Sequence, residues 1–241
     1  MIGASIRRWA AWSPGREDEA AWRRWCAAPV ALEEHGSPEA RFLPAMLRRR
    51  CSPLARTMLT VAFECCDEAE RSRVATVFAS RHGNINESID LLERVALQEP
   101  LSPTRFSHTV HNAQAGLFSI AAGNRQGSSS ISAFEESFAC GFLEAATFLQ
   151  REPARPVLLV MGDAPLSDTF APLVDEPRCA YALALLLSSD GPGRVGFRLD
   201  PGEPPPPQRD WPDAAEFLRW WVAGADRLVL GTGPRRWVWE R

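Results

Sequence analysis

The chain has 241 residues, of which 45% are hydrophobic and 24% charged, and its formal net charge is −3 from 27 basic and 30 acidic side chains. That length suits one large domain or two small ones, and the near balance of charge gives no general reason for nucleic acid or an anionic membrane as a partner. No segment reaches the length of a membrane span, and the opening run MIGASIRRWAAWSP lacks a long apolar core and a small-residue cleavage site. The expected location is therefore the cytoplasm, with the six cysteines (Cys26, Cys51, Cys65, Cys66, Cys140, Cys179) as free thiols. They contain no C-x-x-C and no zinc-type spacing.

Residues 1–12 read as a first strand, followed by a turn at Ser13-Pro14-Gly15 and a helix over 18–26. Residues 27–42 are loop-like. Arg48-Arg49-Arg50 and Ser52-Pro53 lead into a helix through PLARTMLTVAFECCDEA, with Pro53 in its first turn and Leu54, Met58, Val61 and Ala62 at helical spacing. A short strand at 73–80, a loop at 81–84 and a helix at 86–97 follow. After a loop at 100–105, residues 107–122 form a largely helical segment, closed by a turn at 123–127. Residues 128–133 read as a strand running into a helix at 137–149, and 156–161 as a buried strand. Residues 181–188 and 194–199 suggest a hairpin about Asp190-Gly191. EPPPPQ at 203–208 reads as a stiff linker, 211–222 as an amphipathic helix, and 227–231 and 236–239 as short strands. Strands alternating with helices, with apolar strand interiors, predict α/β layers.

Four stretches stand out by order and spacing. Ser102-Pro103 is followed by His111-Asn112-Ala113-Gln114-Ala115-Gly116 and Ser119-Ile120. Gly123 and Gly127 precede Ser130-Ile131-Ser132. Residues 141–146 continue the helix after the turn at 133–137, and residues 157–163 and 181–187 supply the next two strands. Together these resemble the N-terminal half of a β-ketoacyl synthase, over roughly residues 50–200. The resemblance implies one half of a thiolase-like unit, an α/β fold with a five-stranded mixed sheet and helices on both faces. It divides the chain into a ketosynthase-like domain at 1–200 and, at 201–241, a Pro-rich linker with a C-terminal helix and strand extension of the same domain.

Two departures bear on function. The family's nucleophile turn reads T-A-C-x-[ST]-G, and its Thr-Ala-Cys falls on Ala133-Phe134-Glu135, so Glu135 holds the nucleophile position. Beyond residue 200 there is no histidine, and His35, His82, His108 and His111 match no catalytic context of the family. A helix N-terminus that favours a thiolate also suits a carboxylate, but a carboxylate nucleophile needs an acid/base partner. Glu136 reads as a first-turn residue facing solvent or an arginine, and Cys140 as a buried, inert thiol. His108 and His111 lack a third ligand, so no metal and no cofactor is expected.

The resemblance extends to short ketosynthase-like subunits linked to aryl polyene pathways in type II polyketide clusters. It implies a non-catalytic, chain length factor-like partner of a catalytic β-ketoacyl synthase in a heterodimer, with an acyl carrier protein met directly or through that partner. It places Phe106, His111, Asn112, Gly116, Ser130, Ser132, Phe134 and Phe138 at the pocket and interface. Phe134 and Phe138 are bulky where the family has small residues, which implies a blocked acyl channel in this chain. The alternative is a malonyl-carrier-protein decarboxylase, or another acyl-thioester enzyme, using Glu135. Arg48, Arg49 and Arg50 read as a solvated face that could dock an acidic carrier protein. Trp220, Trp221, Trp237 and Trp239 either cap the core or pack on a partner.

Overall fold

The computed structural model describes residues 2–202, 210–231 and 235–241. The stretch 203–208, expected as a linker, lies outside the described residues. The described residues form one mixed sheet of eight strands in the order β3-β2-β4-β5-β1-β6-β8-β7. The strands are β1 (Ile2–Trp12), β2 (Ala75–Ala79), β3 (Ser128–Ile131), β4 (Val157–Asp163), β5 (Tyr181–Ser188), β6 (Arg194–Pro201), β7 (Arg227–Leu230) and β8 (Arg235–Glu240). β2 runs parallel to both β3 and β4, and the other pairs are antiparallel.

The part β3-β2-β4-β5-β1 is the five-stranded sheet expected from the sequence, but the sheet has eight strands. β6 continues it beyond β1, and the hairpin of β7 and β8 adds to β6. The strands β5 and β6 do not form the expected hairpin. β1 lies between them, pairing Trp12 to Ser5 with β5 and Ser5 to Ile2 with β6. The connection at 189–193 bonds to β1 instead of closing a tight turn: Ile6 N donates to Gly193 O at 3.0 Å, and Ser5 Oγ donates to Gly191 O at 3.0 Å. Both glycines have positive φ, which lets the chain pass over β1.

Nine helices flank the sheet among the described residues: α1 (Glu19–Ala27), α2 (Ala45–Arg48), α3 (Pro53–Cys65), α4 (Glu68–Arg71), α5 (Ile85–Ala96), α6 (Pro103–Ser107), α7 (Ala113–Ala122), α8 (Ser137–Arg151) and α9 (Asp213–Ala223). The helix expected to run past Cys66 breaks there. Cys66 is extended, and Asp67 and Glu70 form a capping box that starts α4. Helix α6 arises where a loop was expected, because Ser102 accepts from Arg105 N and Pro103 sits in the first turn.

The helices cover both faces. One core holds α1, α8 and α9 side chains, with Phe138, Phe142, Phe197, Phe217 and Trp239 in mutual contact. The other holds α3 and α7, with Met58, Leu59 and Phe118. Trp220, Trp237 and Trp239 are buried within this chain, so the extension after residue 201 completes the core. Trp221 is partly buried, with the Arg241 guanidinium 4.5 Å from its ring centroid. We expect Trp239→Ala to lower stability by about 3–5 kcal/mol in denaturant unfolding. Leu199→Ala, on the half-exposed side of β6, should cost less than about 1 kcal/mol. Equal small losses would place β8 outside the core.

Candidate functional site

The parallel strands β3, β2 and β4 end on the same side of the sheet, where α/β folds commonly place their sites. Asp163 closes β4 there and is buried. Its carboxylate accepts from Ser80 Oγ at 2.6 Å, Arg81 N at 3.1 Å, His82 N at 3.2 Å and Tyr181 OH at 3.3 Å. Burial pushes its pKa above the ordinary carboxylate value, while the bonds from Ser80 and the two amides pull the other way. These bonds fix the loop after β2, which carries Arg81 and His82.

Arg81 is the centre of the arrangement. Its Nη2 donates to Glu135 Oε1 at 2.7 Å, and its Nη1 lies 2.7 Å from Glu176 Oε2. His82 Nε2 lies 2.7 Å from the other oxygen of Glu176. The Arg81 side chain is only 12% exposed, and its contact with the largely covered Glu176 is better shielded from water than that with the half-exposed Glu135.

The turn carrying Glu135 is tightly built. Phe134 adopts φ +50, a left-handed conformation that costs a bulky residue roughly 1–3 kcal/mol. Ser137 clamps it, with Oγ accepting from Ala133 N at 2.9 Å and donating to Phe134 O at 2.7 Å. Gly141 brings α8 close to the sheet: a Cβ there would stand 2.9 Å from that of Ala79 and 3.2 Å from Leu159 Cδ1. Any larger residue would displace the turn with the helix.

Several expectations change. Glu135 precedes α8, which starts at Ser137 with Glu136 as its N-cap residue and no side-chain cap bond. Its charge is answered by Arg81 rather than by a helix cap. Of the two alternatives for Glu136, solvent or an arginine, the second holds: it is buried, with its Oε1 3.1 Å from Arg235 Nε. Phe134, Glu135 and Phe138 line one cavity of about 240 Å³ together with Asp163, Glu176 and Tyr181. Phe138 belongs to the core beside Phe217 and Trp239, and Phe134 is 78% exposed. The space beside Glu135 is thus an open cavity lined by carboxylates and apolar side chains together, and an acyl chain entering it would strip water from those carboxylates.

Ser132 Oγ donates to Arg81 O at 2.9 Å, and His111 Nε2 lies 3.1 Å from Ser80 O, so both brace the loop after β2. Phe106, Asn112, Gly116 and Ser130 do not line the cavity. Phe106, Asn112 and Gly116 are exposed on the connection between β2 and β3, and Ser130 lies on β3 itself. Arg49 and Arg50 are exposed just after α2. Arg81, Asp163, Tyr181 and Glu176 were not singled out from the sequence. An acidic residue ending the apolar run VLLVMGD was the available signal for Asp163, whereas nothing local marks Glu176.

The thiols offer no activated nucleophile among the described residues. Burial pushes Cys26 and Cys66 up to about 11 and Cys179 to about 12, and it raises Cys51, Cys65 and Cys140 as well. No cluster of three metal-ligating side chains occurs among the described residues. No helix among them is long and apolar enough to cross a membrane.

The family model described as β-ketoacyl synthase, N-terminal domain, matches residues 22–240. The chain belongs to that family. A comparison with curated proteins gave no match. Among solved structures, a chain of the ketosynthase ApeO in complex with its chain length factor ApeC from Xenorhabdus doucetiae is 28% identical. It matches at a TM-score of 0.88, and 100% of each chain is covered. The ishigamide ketosynthase/chain length factor matches at 0.65 and 14% identity, over 83% of this chain and 68% of that one. The AntDE:AntF assembly, a type II polyketide acyl carrier protein in complex with its ketosynthase, matches at 0.65 and 13% identity, over 83% and 69%. The fold is the thiolase-like ketosynthase fold.

The raised pKa of Asp163 has a definite pH consequence. Its ionised form costs the folded state, so that cost is present at neutral pH and is relieved as pH falls through the raised folded value. The stability of the native chain relative to Asp163→Asn should therefore rise as pH falls from 7 toward the ordinary carboxylate value of 3.8. Denaturant unfolding of both proteins across that range checks the sign. At neutral pH, Asp163→Ala leaves two amides and two hydroxyls without their acceptor and should cost roughly 3 kcal/mol or more.

Proposed function

We propose that this chain is a non-catalytic, chain length factor-like subunit in the cytoplasm. It pairs with a catalytic β-ketoacyl-acyl carrier protein synthase in polyketide synthesis of the aryl polyene kind, and it shapes the acyl pocket of that partner. The observation that carries this reading is an open, uncharged sheet edge together with the exposed apolar side chains of the segments that lead into and out of it. β3 is the outermost strand on its side and reads SSSI, with no charge to discourage pairing.

The connection between β2 and β3 exposes Leu92, Val95, Leu97, Leu101, Phe106, Val110 and Ile120, and the turn after β3 exposes Phe134. Those are eight of the thirteen exposed large hydrophobics among the described residues. Helix α5 is strongly amphipathic, yet only Leu91 of its residues is buried. Apolar surface gathered in this way marks a protein interface rather than a solvated face.

Phe106, His111, Asn112, Gly116, Ser130, Ser132, Phe134 and Phe138 are proposed to form this chain's share of the interface and of the pocket next to it. The complex of ApeO with its chain length factor supports the pairing, and the AntDE:AntF assembly supports a carrier protein that reaches the pair. The domain reading that goes with this proposal is one ketosynthase-like unit at 1–200 with residues 201–241 as its extension. Glu135 does not attack a thioester in this reading, because Arg81 holds its carboxylate and His82 is engaged by Glu176.

Co-expression with the catalytic synthase should give a stable one-to-one complex, with condensation by the pair and none by this chain alone. Ile120→Glu, on an exposed position, should leave the free fold intact and weaken the complex by about tenfold or more. Acyl elongation on a carrier protein by the isolated chain would overturn the proposal. Glu135→Ala should leave carbon dioxide release from malonyl-carrier protein unchanged. Loss of that release in an intact complex would favour the decarboxylase reading instead.

A further inference from the structure

Residues 164–178, between β4 and β5, supply much of the lining of the cavity beside Glu135. Ala164, Leu166, Ala171 and Val174 line it together with Phe138 and Trp211. The strap contains a single 3-10 turn, Ala171–Leu173, and the backbone hydrogen bonds donated by Phe170, Ala171, Leu173 and Val174 all stay within it. Its centre is thus held to the body by few groups, as expected of a low-stability segment.

The fastenings differ in kind. At the start of the strap, Asn86 makes two hydrogen bonds, donating to Pro165 O at 2.8 Å and accepting from Ser167 N at 2.9 Å. At the other end, Arg178 meets Glu34 at 2.7 Å and Asp168 at 3.1 Å on the exposed surface, where ion pairs contribute little. Glu176 is different. Both of its oxygens are engaged, at 2.7 Å each, by the shielded Arg81 and His82, and the loop bearing these two is fixed from below by Asp163.

We propose that residues 164–178 are a strap that opens and closes this cavity, latched at Glu176, and that Arg81 couples the latch to the turn at 133–137. The coupling is physical. One guanidinium holds Glu176 through Nη1 and Glu135 through Nη2, so loss of either carboxylate frees the arginine to reorient on the other. A group that engages Glu135 from outside therefore changes how firmly the strap is held. Neither the strap nor the coupling requires the chain length factor reading.

The test is peptide-resolved hydrogen–deuterium exchange on the full chain, with mass-spectrometric mapping of Cys179 alkylation as a second readout. Cys179 lines the cavity just beyond the strap and is buried while the strap is closed. Glu176→Gln should speed exchange over 168–176 by about tenfold, with Cys179 alkylation rising in parallel and β4 and β5 amides unchanged. Arg81→Lys, which cannot span both carboxylates, should give the same pattern. Glu135→Gln, which leaves Arg81 to Glu176 alone, should slow exchange in the strap while speeding it in its own turn. Glu34→Gln, which breaks only the exposed pair, should leave the strap as it is. Unchanged strap exchange in both Glu176→Gln and Arg81→Lys overturns the latch. A Glu135→Gln effect confined to residues 133–137 overturns the coupling.

Discussion

A buried carboxylate at the end of β4 sets the geometry on which the site depends. Asp163 gathers Ser80, the amides of Arg81 and His82, and the hydroxyl of Tyr181 around one charge away from water. The bonds from Ser80 and the two amides offset part of the desolvation that raises its pKa. Because two of the donors are consecutive backbone amides, the loop after β2 has little freedom. Arg81 and His82 leave that loop in fixed directions, toward the nucleophile turn and toward the strap. The charges at Glu135 and Glu176 are then answered by neighbours already in place.

The family frame gives this arrangement its meaning. Where the family's nucleophile motif aligns, this chain has a strand, a left-handed turn and a helix, with the serine clamp on Phe134 and the close approach of α8 at Gly141. On the proposed motif register the reacting position falls on Glu135, a glutamate in an ion pair with Arg81. A thiolate needs an environment that lowers its pKa, whereas every cysteine whose shift is resolved has been raised by burial. The chain keeps the scaffold at this position and places on it a fixed charge cluster. Its exposed apolar side chains lie instead on the segments that lead into and out of β3, where Phe106, Ile120 and Phe134 are exposed.

Local features were legible in the sequence and long-range pairings were not. Helices α1, α3, α5, α8 and α9 follow from apolar spacing and caps such as Ser52-Pro53, and β4 and β5 from their unbroken apolar runs. The place of β1 between β5 and β6 could not be read, because strand partners are chosen over 180 residues of sequence by packing. The same holds for the site. Glu135 was found through a motif register, but its partner Arg81 lies 54 residues away and Glu176 lies 95 residues from Arg81, with no local signal for either. The resemblance ended near residue 200, so it could not reveal that Trp237 and Trp239 finish the core.

The central claim is that the nucleophile position of this chain carries no covalent chemistry, and intact-mass spectrometry tests it directly. The complex with the catalytic synthase is incubated with an acyl-carrier-protein thioester, and each subunit is weighed. The account predicts an acyl adduct on the synthase and an unmodified mass for this chain, in wild type and in Glu135→Gln alike. An acyl adduct on this chain that disappears in Glu135→Gln would contradict it.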